Sequence, residues 1–561
     1  MTIDSESLYK ELSDLKLIDQ ALLDDALVEG RQTGDGLDKI LLARDLVSDE
    51  NLGMLIADML GVPFVRLERT VMKRDTLNLL PENMSRSKLV IIFLEDENTV
   101  HVAMQNPNDL ATLEQVRRRV SREVKVFFAT ERDIRFALFA YRKEAVEVFE
   151  DVISKTADEV KKSDGDEAPI IKIVDTMMIY AYQSRASDIH VEPFEEFVQF
   201  RFRIDGVLQD IITLPKDLEG QLVTRIKILS GLPTDEHASA LDGKFNFNVP
   251  EVEDVDVRVS ILPATHGERV VMRLLASNMR QFALLDLGLS EENISKVRAA
   301  YSKPYGMILS TGPTGSGKTT TMYAFMKILN KRNVNIMTIE DPVEYQIRGV
   351  NQIQVNPKTS LTFAEGLKSI VRQDPNIILV GEIRDEETAS IAVNAALTGH
   401  LVLSTLHTND AATTVPRLLE MKVEPFLVAS SVNMIVAQRL VRKICSSCRV
   451  SEIKTVTELS ADLPTDLLKK QVDKKDKGLR VYFGKGCDVC RHTGYIGRIG
   501  IYEVMPISEA IREAIVAKKD AAEIKKIAVD EGMMTMVEDG LGKVKLGLTT
   551  VDELLREVKS E

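Results

Sequence analysis

The sequence predicts an α/β protein. A parallel-sheet domain fills the C-terminal half, preceded by a small α+β domain and an N-terminal helical-plus-α/β module, with a cysteine-bearing subdomain inserted late in the chain. Three observations carry this. Apolar runs at Met307–Ser310, Ile336–Ile339, Ile377–Val380 and Leu401–Thr405 alternate with helix-length segments, the rhythm of a parallel sheet covered on both faces. A glycine-rich loop lies between the first run and a helical segment. Upstream, from about residue 197, short stretches alternate apolar and polar residues with the period of half-buried strands.

Composition narrows the function classes. The chain has 561 residues, 72 Lys+Arg against 86 Asp+Glu, a net charge of −14 and 44% hydrophobic residues. That length suits several domains and is too apolar for disorder. The acidic balance argues against a surface that tracks nucleic-acid phosphates, so nucleic acid is not expected as a partner. No apolar stretch approaches the ~20 residues of a membrane helix, and Met1–Glu6 shows no signal-peptide character, so the chain is expected to fold in the cytoplasm.

In chain order, residues 1–149 read as the N-terminal module. Its first ~65 residues hold a degenerate 29-residue repeat, with Leu8, Leu12 and Leu27 recurring as Leu37, Leu41 and Ile56, which predicts two related helical hairpins; Asp19 and Ser48 read as helix N-caps. A small α/β unit follows over 66–149, with strands at Leu89–Leu94, Val100–Met104 and Val124–Ala129. The charged stretch 150–168 reads as a linker, or alternatively as a solvated surface helix. Residues 169–286 form the α+β domain, with a helix at Ile170–Gln183 and strands at Phe197–Arg203, Gly206–Ile212, Val255–Ile261 and Glu268–Leu275, and 287–561 form the parallel-sheet domain.

The glycine-rich loop is Gly312-Pro313-Thr314-Gly315-Ser316-Gly317-Lys318-Thr319, followed by Thr320, and fits G-x-x-x-x-G-K-[ST]. Glycines let backbone N–H groups curl around phosphates, the helix N-terminus adds positive potential, Lys318 reaches the β- and γ-phosphates, and the Thr319 hydroxyl is a Mg²⁺ ligand. Hydrolysis also needs a metal-supporting acid and a base for water. Ile377–Glu382 is an apolar strand ending in a carboxylate, and Pro342 fixes a turn presenting Glu340, Asp341 and Glu344 at the end of another. The run Gly399–Thr408 carries His400 and His407, which read either as sensors of the γ-phosphate or as satisfied core residues.

Cys445-Ser-Ser-Cys448 and Cys487-Asp-Val-Cys490 are two C-x-x-C knuckles that use all four cysteines of the chain. Two such pairs complete a closed tetrahedral Zn²⁺ site, which sets the zinc-binding subdomain at 440–500; free or redox thiols are the alternative. The intervening Lys469–Lys477 is mixed in charge and lacks aromatics, so it reads as a solvated lobe rather than a nucleic-acid patch.

These segments together resemble the secretion ATPase superfamily, the assembly-type motors of type IV pili and type II secretion. Gly312–Thr320 resembles its Walker A motif, Thr338–Tyr345 its Asp box, Val371–Asp385 its Walker B and Thr398–Asp410 its His box, and the likeness extends upstream through Ala186–Pro193, Arg203–Gly206, Asp256–Ser260 and His266–Arg273. The resemblance implies a RecA-like P-loop ATPase domain acting in a cytoplasmic homohexamer on ATP with Mg²⁺. It implies Glu344 as general base, Glu382 as the Mg²⁺-supporting acid, His400 and His407 as the His-box pair, and Arg258 and Arg273 as arginine fingers. It further implies a tetracysteine zinc subdomain, an inner-membrane platform protein and an adaptor as partners, and peripheral association with the inner membrane through them. At Leu232–Lys244 the chain departs from the family's Arg-rich pattern, which leaves that loop without an expected nucleotide contact.

The N-terminal repeat resembles the module that in some relatives binds cyclic di-GMP through motifs beginning Arg-Leu-Gly. Here those places read Ser7-Leu8-Tyr9 and Gly36-Leu37-Asp38, so cyclic di-GMP is not expected as a ligand. Two rival functions stay open at this point: a RecA-like nucleic-acid translocase with a zinc lobe, and a nucleotide-gated scaffold that does not hydrolyse.

Overall fold

The computed structural model describes residues 3–15, 18, 20–44, 46–70, 72–138, 168–249, 253–275, 284–459, 463, 467–468 and 478–558. The linker expected at 150–168 lies outside them but for Ala168, as do Asp19 and the Lys469–Lys477 stretch. The chain falls into two compact units, one of residues 1–8 and 49–281, the other of residues 9–48 and 282–561. The repeat folds as four helices, Ser5–Leu15, Gln20–Thr33, Leu37–Ala43 and Asp49–Leu60, and the equivalent residues Leu8, Leu37, Leu12 and Leu41 are all buried.

The first unit holds two sheets. β1 (Val90–Glu95), β2 (Thr99–Met104) and β3 (Glu123–Phe128) make a small sheet in which β1 runs antiparallel and β3 parallel to β2. β4 (Ala186–Pro193), β5 (Phe197–Ile204), β6 (Val207–Pro215), β7 (Leu241–Val249), β8 (Glu253–Ala264) and β9 (Gly267–Leu275) form an antiparallel sheet in the order β6-β5-β4-β9-β8-β7. β5 and β8 alternate buried and more exposed side chains. Val198, Phe200 and Phe202 of β5 and Val255, Val257, Val259 and Ile261 of β8 bury against the helices Ala168–Gln183 and Glu219–Leu229, which sends Arg201, Arg203 and Arg258 to the opposite face.

The second unit carries the parallel sheet that the sequence predicts. β10 (Gly306–Thr311), β11 (Ile336–Glu340), β12 (Asn351–Gln354), β13 (Ile377–Val380), β14 (Leu401–Leu406), β15 (Val432–Ile444) and, after the short pair β16 (Arg449–Lys454) and β17 (Leu479–Gly484), β18 (Tyr495–Pro506) build it. The order is β12-β11-β13-β14-β10-β15-β18, parallel throughout except for β18. Side chains of β10, β13 and β14 are buried on both faces, which is why these strands read as unbroken apolar runs. The C-terminal ends of β10, β11, β13 and β14 therefore lie side by side, and the loops that follow them build the site.

Candidate functional site

The glycine-rich loop leaves β10 and ends at the helix Lys318–Leu329. Gly312 has φ +148°, and a Cβ there would stand 2.5 Å from Ser316 Oγ and 2.6 Å from the Gln438 carbonyl, so this turn requires glycine. Gln438 braces the loop from β15: its Nε2 donates to the Ser316 carbonyl (2.8 Å) and its Oε1 accepts from Ser310 Oγ (3.2 Å). The ammonium of Lys318, 8% exposed, donates to the Gly312 and Pro313 carbonyls at 2.8 and 3.0 Å. Burial, opposed by nearby Glu382 and aided by Arg439, pushes Lys318 down to about 8. Pro313, Thr314, Gly315 and Thr319 are exposed, Gly317 and Thr320 half-buried. The buried Ser316 Oγ has no hydrogen-bond partner among the described residues. A loop with an accessible backbone, a buried cation and an exposed Thr319 hydroxyl fits a polyphosphate and its metal.

The three carboxylates expected after β11 separate into different environments. Glu340, 3% exposed, accepts from Thr338 Oγ1 (2.5 Å), Gln352 Nε2 (3.2 Å) and the Tyr323 hydroxyl, and Tyr323 lies on the helix that follows the phosphate loop. Its charge thus fastens β11 and β12 to that helix. Asp341 is exposed and Glu344 half-buried, with the Glu344 N–H 3.4 Å from the Tyr323 hydroxyl oxygen. Burial and the neighbouring Glu340 push the Tyr323 phenol well above its ordinary range, so it stays a donor.

β13 delivers Glu382. Gly381 donates to the Ile339 carbonyl (2.8 Å), and a Cβ there would stand 3.3 Å from Glu340 Cα. One carboxylate oxygen of Glu382 meets Arg384 at 2.5 Å and the other His407 Nε2 at 3.3 Å. Partial burial and Lys318, against the pull of Glu382, hold His407 below the ordinary imidazole range, favouring the neutral ring.

The two histidines stand at opposite ends of β14: His407 beside Glu382, and His400 at the other end. His400 precedes β14 and its ring N–H donates to the Ala395 carbonyl (2.9 Å) at the end of the preceding helix. Seven steps of chain at ~3.3 Å each put it roughly 23 Å from His407, at the opposite end of the strand. His407 is held by its neighbours. Thr311 Oγ1 donates to the Leu406 carbonyl and accepts from the Thr408 N–H (3.0 Å), and Lys525 grips Asp410 at 3.0 Å.

Arg258 and Arg273 lie in the first unit, directly opposite each other on β8 and β9. The Arg273 Nε donates to Asp188 Oδ1 at 3.1 Å.

The four cysteines converge, with all Sγ atoms within 4.8 Å of one another. Three of the sulfur pairs measure 3.7 Å (Cys487–Cys490), 3.8 Å (Cys448–Cys490) and 3.9 Å (Cys445–Cys487). A tetrahedron with Zn–S bonds of ~2.3 Å has edges of about 3.8 Å. Burial pushes the Cys448 thiol up to about 12; at Cys490 burial is outweighed by the N–H groups of Cys487 and Gly494, which bring it down to about 7.

Tyr323, Gln352, Gln438, Thr311 and Arg384 complete the site and are absent from the sequence reading. Tyr323, Gln352, Gln438 and Thr311 each lie on a different strand, helix or loop from their partners, so no local spacing signals them; Arg384 shares the loop after β13 with Glu382, two residues away, and its charge could have pointed to the pair.

A family profile described as "Type II/IV secretion system protein" matches residues 163–556. The chain belongs to that family. Within it, the chain is similar to the type IV pilus assembly ATPase PilB of Myxococcus xanthus, 37% identical with 96% of each chain covered. It is similar to the type II secretion system ATPase E of Vibrio cholerae, 39% identical over 87% of this chain and 98% of the relative. Among solved structures, the ATPase DotB of Yersinia pseudotuberculosis superposes with a TM-score of 0.51 at 19% identity, over 70% of this chain and 94% of that one, a likeness of fold. The enzyme class the sequence predicts, a P-loop ATPase, is the one this secretion family supports. An MshEN domain profile matches residues 60–147. That is the small α/β unit, whereas the sequence reading places the resemblance to a cyclic di-GMP module on the helical repeat.

Proposed function

We propose that this secretion-family chain is a homohexameric motor that hydrolyses ATP to drive assembly of pilin or pseudopilin subunits at the inner membrane, from the cytoplasmic side, through a platform protein and an adaptor. The observation that carries the reading is the convergence of Lys318, Glu382 and His407 at one phosphate loop, where the C-terminal ends of four adjacent strands lie side by side and Glu344 follows the end of one of them. The PilB and ATPase E relatives support the biological setting, and either a type IV pilus or a type II secretion machine fits it. No helix among the described residues is long and apolar enough to cross a membrane, so the membrane tie in this reading runs through partners.

Each residue has a defined task. Backbone N–H groups of residues 312–319 hold the triphosphate, and Lys318 turns from the loop carbonyls to the β- and γ-phosphates. Thr319 and Glu382 would hold Mg²⁺, which supplies charge neutralisation on the phosphates. Glu344 orients the attacking water and accepts its proton, His407 reports on the γ-phosphate through Glu382, and Asp341 borders the entrance. Glu340 keeps this loop in place from below. His400 has no part in the step. The charge developing on the γ-phosphate is met by Arg258 and Arg273 from another subunit. Cys445, Cys448, Cys487 and Cys490 would hold a structural Zn²⁺, for which their sulfur spacing is the support. The MshEN match keeps cyclic di-GMP as a ligand to be tested rather than set aside.

Mixing tests the motor reading. Inactive Arg258→Ala chains combined with inactive Lys318→Ala chains should regain activity, because a mixed ring contains interfaces where an intact loop faces an intact arginine. Unchanged activity of Arg258→Ala alone rejects the arginine assignment. Turnover strictly proportional to protein concentration across the range in which rings form rejects the shared site.

A further inference from the structure

β4 carries Asp188, His190 and Glu192 on the face opposite the core, since Ile189 and Val191 between them are fully buried. The strand register then sets Asp188 in a single row that crosses five strands. Arg203 on β5 pairs with Asp188, Asp188 with Arg273 on β9, Arg273 with Arg258 on β8, and Arg258 with Lys244 on β7. The row holds four cations and one carboxylate. Arg258 and Arg273 are thus cross-strand neighbours on one face, and Arg273 also neighbours Asp188 on its other side.

Asp188 is 6% exposed and fully engaged. Its Oδ1 accepts from Arg273 Nε at 3.1 Å, while Oδ2 accepts from Ser187 Oγ at 2.8 Å and faces Arg203 Nε at 3.7 Å. The contact with Arg273 is specific in its chemistry. A guanidinium has one Nε and two Nη groups in a fixed plane, and the Nη pair is the fork that grips a phosphate or carboxylate through two bonds. Asp188 takes the Nε. The Nη groups donate no hydrogen bond among the described residues, and the Arg273 side chain is 57% exposed.

We propose that Asp188 is a positioning residue for Arg273: by binding Nε it fixes the plane of the guanidinium and presents the Nη fork to the terminal phosphate of a nucleoside triphosphate held by a second copy of the chain. The inference rests on the reading of Arg273 given above and adds the group that aims it. An arginine on a flexible stem explores many rotamers, and a carboxylate buried in the sheet removes that freedom before the phosphate arrives.

The test is a cycle of variants in the full-length, ring-forming protein: Asp188→Ala, Arg273→Ala and the double substitution, with kcat, KM for ATP, ring assembly by light scattering and thermal melting measured for each. Asp188→Ala should lower kcat about 10- to 100-fold with KM, assembly and melting unchanged, and the double variant should be no slower than Arg273→Ala alone. Wild-type kcat in Asp188→Ala beside a large loss in Arg273→Ala overturns the proposal. So does a double variant in which the two losses multiply, since Asp188 would then act by another route. Should Arg273→Ala itself retain full kcat, the arginine assignment fails, an outcome distinct from the failure of Asp188. If Asp188→Ala does not fold, Asp188→Asn takes its place in the cycle. A several-fold fall in kcat that vanishes in the Arg273→Ala background upholds the proposal, and turnover equal to wild type overturns it.

Discussion

His407 Nε2 stands 3.3 Å from one carboxylate oxygen of Glu382, while Arg384 takes the other. A carboxylate held at both oxygens is suited to hold position and charge, which leaves proton transfer to Glu344 on the neighbouring loop. Glu344→Gln should therefore bind ATP normally and lose roughly 10²–10⁴ in kcat. Lys318→Ala should fail at binding itself. Full turnover in Glu344→Gln would transfer the base to Glu382.

Lys318 predicts a pH dependence. Burial sets its ammonium at about 8 in the free protein, and a bound triphosphate raises that value by holding the charge. Below about pH 8 the lysine is charged in both states and affinity is flat with respect to it. Above, the complex binds one more proton than the free protein, so affinity falls by up to about tenfold per pH unit until the bound-state value is reached. Fluorescent-nucleotide titrations from pH 7 to 9.5 should show this slope in the wild type and not in Lys318→Arg. Equal profiles for the two proteins reject it.

Tyr323→Phe removes a donor from buried Glu340. A buried carboxylate short of one hydrogen bond costs about 1–3 kcal/mol, so the denaturant midpoint for unfolding of the parallel-sheet unit should fall by that energy divided by the m-value. An unchanged midpoint would show that Thr338 and Gln352 suffice.

If the four sulfurs hold zinc, metal analysis of the purified protein should give one ion per chain, and Cys487→Ser should release it. Hydrogen exchange should then rise over 440–459 and 478–500 while β10 and the phosphate loop keep their protection. Protein purified without chelators that carries no zinc ends the assignment.

Much of this was legible from local spacing. The phosphate loop announces itself in eight consecutive residues, and each knuckle of the cysteine cluster in four, because those ligands must come from one turn of chain. The strands β10, β11, β13 and β14 show as apolar runs because both faces are buried. β4 and β7 escaped the reading: β4 interleaves charged residues among buried ones, and Leu241–Val249 holds only two fully buried side chains. The histidines show the limit from the other side. His400 and His407 look alike as a pair in one motif, yet seven positions along an extended strand carry the chain from one end of β14 to the other. Counting at ~3.3 Å per residue would have separated them. Tyr323, Gln352 and Gln438 had no such signal, since what makes them part of the site is the folding of distant segments onto it.

β15 spans 13 residues, roughly 40 Å, beginning beside β10, passing Gln438 under the phosphate loop and ending one residue before Cys445. It is paired with β18 for most of that length, so no loop interrupts the path to absorb strain. The strand is in effect a stiff rod, one end fixed in the sheet and its middle bonded to the loop that meets the nucleotide. A tilt of the strand at Gln438 would be carried along it towards the cysteine lobe, with the irregularity in pairing between Arg442 and Ile444 as the place where it could be taken up.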